Sequence, residues 1–230
     1  GGVSGKPLKN KSNEIISYLE IFLLHNGFRP QFYQTNFDIY IENIINNDSN
    51  IIKFNPDIIY IYTTIKNILY EPDVLENDIN VKNYIKKELK AFINTWKKIR
   101  SFSNAIIIQN NFELPYLRPL GSIDSIVHYG FSKYILNLNE NLSNLIKKQK
   151  GILLCDINYL SSYIGLENWF DLNLWYSYKI GISNLGSVNL ANNISSIINS
   201  YFGNKIKAIV LDLDNTLWGG VIGDDGIEKI

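Results

Sequence analysis

Ile58-Ile59-Tyr60-Ile61-Tyr62, then Ile85, Leu89, Phe92, Trp96 and Ile99, then Ala105-Ile106-Ile107-Ile108-Gln109: this stretch decides the fold. Its first and last segments are short, unbroken apolar runs rich in β-branched side chains, the pattern of a strand buried on both faces. Between them the apolar positions recur at helical spacing and predict a helix between about residues 80 and 100. Strand, helix, strand in that order implies a right-handed crossover joining two parallel strands.

The alternation continues on both sides. Downstream, Ile135, Leu138, Leu142 and Leu145 share one helical stripe, Ile152-Leu153-Leu154-Cys155 reads as a strand, and Val188, Ala191, Ile194, Ile198 and Tyr201 mark a further helix ended by Gly203. Upstream, Ser12 is placed to cap a helix bearing Ile15, Ile16, Leu19, Phe22 and Leu23, with Gly27 where a left-handed C-terminal residue belongs. Gln31 to Gln34 reads as a short strand and Asp38 to Asn47 as a polar helix. The expected class is α/β, a doubly wound parallel sheet with helices on both faces. Residues 1–203 form this first domain, and Gly1-Gly2-Val3-Ser4-Gly5 stands where the loop after a first strand would lie, so that strand is expected to precede the chain.

Composition narrows the function. With 46% hydrophobic and 13% aromatic residues, the 230-residue chain has ample material for a core. Lys and Arg (22) balance Asp and Glu (22), so no global field draws the chain to nucleic acid or to an anionic membrane, and neither is an expected partner. No apolar run approaches the roughly 20 residues of a membrane span. One cysteine, Cys155, and two histidines can build neither an intramolecular disulfide nor a structural zinc site, so a reducing, cytoplasmic setting is expected. Methionine is absent and the chain opens in a Gly-rich loop, which points to a piece of a longer protein.

The strongest chemical signal is Val210-Leu211-Asp212-Leu213-Asp214-Asn215-Thr216-Leu217-Trp218. Lys207 to Leu211 reads as a strand that delivers two carboxylates, two positions apart and therefore on one face, into a polar loop. Such a pair suits phosphoryl transfer, one carboxylate attacking phosphorus while the other handles the leaving-group proton, with Mg²⁺ neutralising the phosphate. Asp and Asn side chains that merely cap the turn after a strand would give the same string. Residues 204–230 are expected to begin a second, incomplete α/β domain.

The string DxDxT after an apolar strand resembles the first motif of the haloacid dehalogenase superfamily of phosphatases and phosphotransferases. The resemblance implies Asp212 as nucleophile and metal ligand, and Asp214 as general acid/base and second metal ligand. It also implies Thr216 in the phosphate loop and Mg²⁺ as cofactor. Trp218-Gly219-Gly220-Val221-Ile222-Gly223-Asp224-Asp225-Gly226 is similar to one subgroup, the FkbH-like proteins of polyketide and related biosynthesis. So are Phe54-Asn55-Pro56-Asp57, Gln109-Asn110-Asn111-Phe112-Glu113, Asp156-Ile157, Trp169-Phe170-Asp171 and Trp175-Tyr176. The likeness implies removal of phosphate from 1,3-bisphosphoglycerate and loading of the glyceryl unit onto an acyl carrier protein. Phosphatase action on another small phosphorylated metabolite, or a non-catalytic module that binds the carrier protein, are the rivals. The superfamily's later Ser or Thr, its Lys and its distal acidic ligands have no counterpart in this chain. The longer protein is therefore expected to be an enzyme and the chain alone to be inactive.

Residues before 205 resemble the flavodoxin-like SGNH hydrolase fold. Its chemistry needs a serine, oxyanion donors and an Asp-x-x-His pair. Ser4 lies in a suitable loop, but Leu174 stands three positions after Asp171, where the histidine would be, and His25 and His128 read as helical residues elsewhere. Ligands of open parallel sheets bind outside the carboxyl ends of the strands. Ser4, Thr63, Thr64, Asn67, Gln109, Asn110, Asn111 and Asp171 are accordingly candidates for one crevice, with loop capping by Asn and Thr as the alternative. Cys155 reads as a core residue, and Lys147-Lys148-Gln149-Lys150 as a solvated helix end or, alternatively, a docking patch.

Overall fold

Among the described residues, thirteen β-branched, aliphatic and aromatic side chains from three strands, two helices and one strand exit close the main core, including Ile61, Trp96, Ile99, Ile107, Phe112, Leu138, Leu142 and Ile152. The structure, a computed structural model, describes residues 12–34, 49–178 and 181–203, with residues 208, 210–212, 216, 217 and 219 beyond them. The chain divides into two compact units, Gly1–Ile197 and Ile198–Ile230.

In chain order the described elements are α1 (Ser12–His25), α2 (Ser49–Phe54), β1 (Ile58–Ile61), α3 (Asp78–Arg100), β2 (Ile106–Asn110), α4 (Phe131–Ile146), β3 (Ile152–Cys155), α5 (Ile157–Ile164), α6 (Leu166–Trp169), α7 (Leu172–Tyr178) and α8 (Asn184–Phe202). Short 3₁₀ turns occupy Ile65–Asn67 and Gly121–Ser125. The three described strands lie side by side in the order β1-β2-β3, all parallel, with Ile59 opposite Ile107 and Ile108 opposite Leu153.

The pleat sorts the strand side chains onto two faces. Ile59, Ile61, Ile107, Ile152 and Leu154 pack with Ile85, Trp96 and Ile99 of α3 and Ile135, Leu138 and Leu142 of α4. Tyr60, Ile108 and Cys155 fall on the other face, where the Cys155 sulfur lies 3.4 Å from Asn193 Oδ1 of α8. Asn26, just past α1, donates to the Ser195 hydroxyl of α8 at 2.9 Å. Helices therefore cover both faces, as the continuous apolar strands require. Ile99, Ile107, Leu138 and Leu142 are fully buried, and each contributes about 1.5–3 kcal/mol by leaving water.

Helix ends follow local chemistry. Gly27 takes a φ of 84°, Gly27 N–H donates to Leu24 O and Phe28 N–H to Leu23 O, a left-handed Schellman close of α1. Asn77 caps α3 through Asn80 N–H at 2.8 Å. The start of α4 is held by Asp124, a buried carboxylate whose two oxygens accept from Phe131 N–H (3.1 Å) and Ser132 N–H (2.7 Å).

Several expectations change. Gln31 to Gln34 is irregular and exposed, because no described strand lies beside it and an unpaired strand leaves its backbone groups to water. Ala208, Val210 and Leu211, the described residues of the expected strand Lys207 to Leu211, are likewise exposed and outside any strand. His128 sits in a turn, its Nε2 2.7 Å from Glu76 O, and not on a helix. The expected helix Asp38 to Asn47 and the glycine-rich residues 1–5 lie outside the described residues.

Replacing Asp124 with Ala is expected to lower stability by about 2 kcal/mol or more, since two helix N–H groups lose a buried charge-assisted acceptor. Denaturant unfolding checks this: a midpoint within experimental error of wild type would contradict the assignment.

Candidate functional site

The carboxyl ends of the three strands are joined by side-chain amides. Asn110 Oδ1 accepts from Thr63 N–H at 3.0 Å, while its Nδ2 donates to Thr63 O at 2.5 Å and to Asn111 O at 2.6 Å. Gln109 Nε2 reaches the Thr63 hydroxyl at 3.2 Å, and Trp96 Nε1 donates to Gln109 Oε1 at 3.3 Å. The next link runs to β3: Asn111 Nδ2 donates to Asp156 Oδ1 at 2.7 Å, and Asn111 Oδ1 accepts from Asn158 N–H at 3.1 Å. Asp156 also caps α5 through Tyr159 N–H. Asn139 of α4 closes the set by bonding both the N–H and the carbonyl of Phe112, at 2.9 and 2.7 Å.

These geometries correct part of the crevice expectation. Asn110 is fully buried and Asn111 4% exposed, and both amides are spent on neighbouring backbone and side-chain groups, so neither is presented to a ligand. Asn67 is exposed, but its Oδ1 accepts from Thr64 N–H at 2.9 Å in a capping box. Asp171 accepts from Leu174 N–H at 3.0 Å and caps α7. Ser4 lies outside the described residues. Capping by Asn and Thr, the alternative drawn from sequence, accounts for Thr64 and Asn67, while Thr63, Gln109, Asn110 and Asn111 are taken up in bonds across the strand ends.

One carboxylate, Glu113, three residues past β2, keeps unspent bonding capacity, as do the buried Asn158 Oδ1 and the hydroxyls of Tyr60, Ser132 and Tyr134. Glu113 is 4% exposed, and its Oε2 has no hydrogen-bond partner. Burial raises its pKa from the usual carboxyl range to about 7, against the opposing pull of the backbone N–H groups of Glu113 and Ile65 and of the Lys66 charge. Burial, with Glu113 and Cys155 nearby, also raises Tyr62. Cys155 is fully buried and its thiol is pushed up to about 12, chiefly by burial, so it is a core residue and no thiolate nucleophile. Glu113 and Asn139 carry no sequence periodicity of function. Their readable signal is a polar residue set among apolar ones, Phe112-Glu113-Leu114 and Leu138-Asn139 on the buried stripe of α4.

In the second unit Asp212 is exposed and in irregular backbone, Thr216 stands exposed in a turn, and Asp214 lies outside the described residues. Among the described residues no group of three or more His, Cys, Asp or Glu side chains converges. The described residues by themselves therefore do not fit the donor set of a Mg²⁺ ion, which needs several oxygens in near-octahedral array.

A family model described as FkbH, N-terminal domain, matches residues 24–199. That range takes in the whole described sheet and the helices on both of its faces. The chain belongs to the FkbH N-terminal domain family. Among solved structures it is similar to the crystal structure of the N-terminal part of the protein BF1531 from Bacteroides fragilis, containing a phosphatase domain complexed with Mg. The TM-score is 0.72, with 22% sequence identity over 92% of this chain and 55% of that one. At that identity the likeness establishes the fold, and this chain spans about half of the other structure's length. Comparison with curated proteins gives no match.

Glu113 makes stability depend on pH. Its folded pKa of about 7 exceeds the carboxyl value of 4.5, so its stabilising contribution is complete below pH 4.5 and is lost as pH rises toward 7. Glu113→Gln is expected to flatten that fall and to gain up to about 3 kcal/mol over wild type near pH 8. Urea unfolding of both proteins at about pH 5 and pH 8 checks it; parallel pH profiles would refute the assignment.

Proposed function

We propose that the chain is part of an FkbH-like biosynthetic enzyme in which the phosphatase motif Asp212-x-Asp214-x-Thr216 dephosphorylates a phosphoglyceryl donor such as 1,3-bisphosphoglycerate. The glyceryl unit then passes to an acyl carrier protein. The single observation that supports this reading is the succession, in one chain, of an FkbH N-terminal domain over residues 24–199 and the DxDxT string at residues 212–216. A structural neighbour of the same fold whose crystal structure contains a phosphatase domain complexed with Mg supports the pairing and, with it, a Mg²⁺ requirement for the longer protein.

In this reading Asp212 attacks the phosphorus of the donor's phosphate ester and Asp214 gives a proton to the leaving alkoxide oxygen, water later freeing phosphate from Asp212. The acyl phosphate is kept for the carrier-protein thiol, which displaces its phosphate as the thioester forms. The first unit acts without ester hydrolysis of its own. That assignment is supported by the amides of Asn110 and Asn111, which are taken up by neighbouring groups and are not held open for an oxyanion, and by Leu174 in place of a base. It then serves to bind the carrier protein or to support the catalytic domain. A cytoplasmic location belongs to the same reading, and no described helix is long and apolar enough to cross a membrane.

Asp212→Asn in the full-length protein is expected to reduce release of phosphate from the phosphate ester of the donor by about a thousandfold or more, with circular dichroism unchanged. Release within about tenfold of wild type would contradict the nucleophile assignment.

A further inference from the structure

The edge of the sheet opposite Thr63, Asn110 and Asp156 carries a partly enclosed groove of about 390 Å³, between the C-terminal turns of α3 and α4. Ile93, Trp96 and Ile152 contribute apolar surface, and Lys97, Arg100 and Lys150 bring three cations to it from elements some fifty residues apart in sequence. No carboxylate lines it; Asp57, which precedes β1 on the same edge, is not among the lining residues. Lys98, Lys147 and Lys148 stand on the adjoining turns and extend the positive field.

The bland explanation is that these cations answer the negative ends of two helices. The terminal carbonyls, however, are already bonded. Ser101 N–H donates to Lys97 O and Lys98 O, Ser103 N–H to Ile99 O, and Lys147, Lys148 and Gln149 N–H groups close α4 in the same way. Arg100 is fixed by its own bonds, Nη1 to Ala105 O and Nη2 to Gly151 O at 2.8 Å, so it supplies charge from a set position. Lys97 and Lys150 are exposed and make no ion pair with a described carboxylate, which leaves two mobile ammonium groups beside one fixed guanidinium. Two point charges on flexible stems suit the two negative charges of a phosphate ester, and the volume lies in the range of small-molecule pockets and not of an extended nucleic-acid stripe.

We propose that this groove binds the phosphate group of a small phosphorylated molecule, held by Lys97 and Lys150 against the fixed charge of Arg100, with the organic part resting on Ile93 and Ile152. The site is separate from the reading of Asp212 and stands or falls without it.

Amide chemical shifts of the chain followed during titration with inorganic pyrophosphate test this, with succinate as a carboxylate control. Saturable shifts confined to Lys97–Ser101 and Gln149–Ile152 are expected, weaker by about tenfold or more with succinate and in Lys97→Ala/Lys150→Ala, and falling steeply as salt rises. Both lysines are exposed, so the double variant should keep its wild-type spectrum elsewhere. Absence of saturable shifts, equal response to succinate, or unchanged affinity in the double variant would each overturn the proposal.

Discussion

The amide of Asn110 holds the two peptide groups of Thr63. One side chain at the end of β2 thereby completes the backbone bonding of the residue where β1 leaves the sheet. A parallel sheet ends abruptly at its carboxyl edge, and each departing strand would otherwise bury an unpaired N–H or carbonyl at a cost of roughly 1–3 kcal/mol. Gln109, Asn110, Asn111 and Asn139 solve this for the exits of β1 and β2 and for the entry into α5. With those exits fixed, α3 and α4 can return across one face and the chain can reach α8 on the other.

Satisfying the edge internally has a chemical consequence. A hydrolytic crevice needs donors held open toward a substrate oxygen, whereas here the amides of Asn110 and Asn111 are spent on backbone groups and on Asp156. The edge acts as a joint. Glu113 is a charged exception, a carboxyl buried beside the joint with one oxygen unbonded and a proton affinity shifted toward neutrality by desolvation, and Asn158 Oδ1 is a neutral one.

Much of this was legible in the sequence. The runs at residues 58–61, 106–110 and 152–155 and the stripes of α3, α4 and α8 appear where periodicity puts them, because burial on two faces or one face imposes a spacing that survives an Asn-rich composition. Gln31 to Gln34 failed since two aromatic residues alone do not supply a neighbouring strand, and α5, α6 and α7 escaped because helices of eight residues or fewer show too few turns for a stripe. At the site, residue types marked the right edge of the sheet but not the direction of their bonds: an Asn that caps and an Asn that awaits a ligand are the same letter.

The central claim, that the carboxyl edge is closed by side-chain amides and is no open crevice, is tested most directly by native-state hydrogen exchange at the N–H groups of Thr63 and Phe112. Both are held by asparagine side chains and by no strand partner. Exchange of these two protons at the rate of the β2 core, governed by global unfolding, is the predicted result. Exchange orders of magnitude faster than that of Ile107 and Ile108, as in a solvated loop, would contradict it.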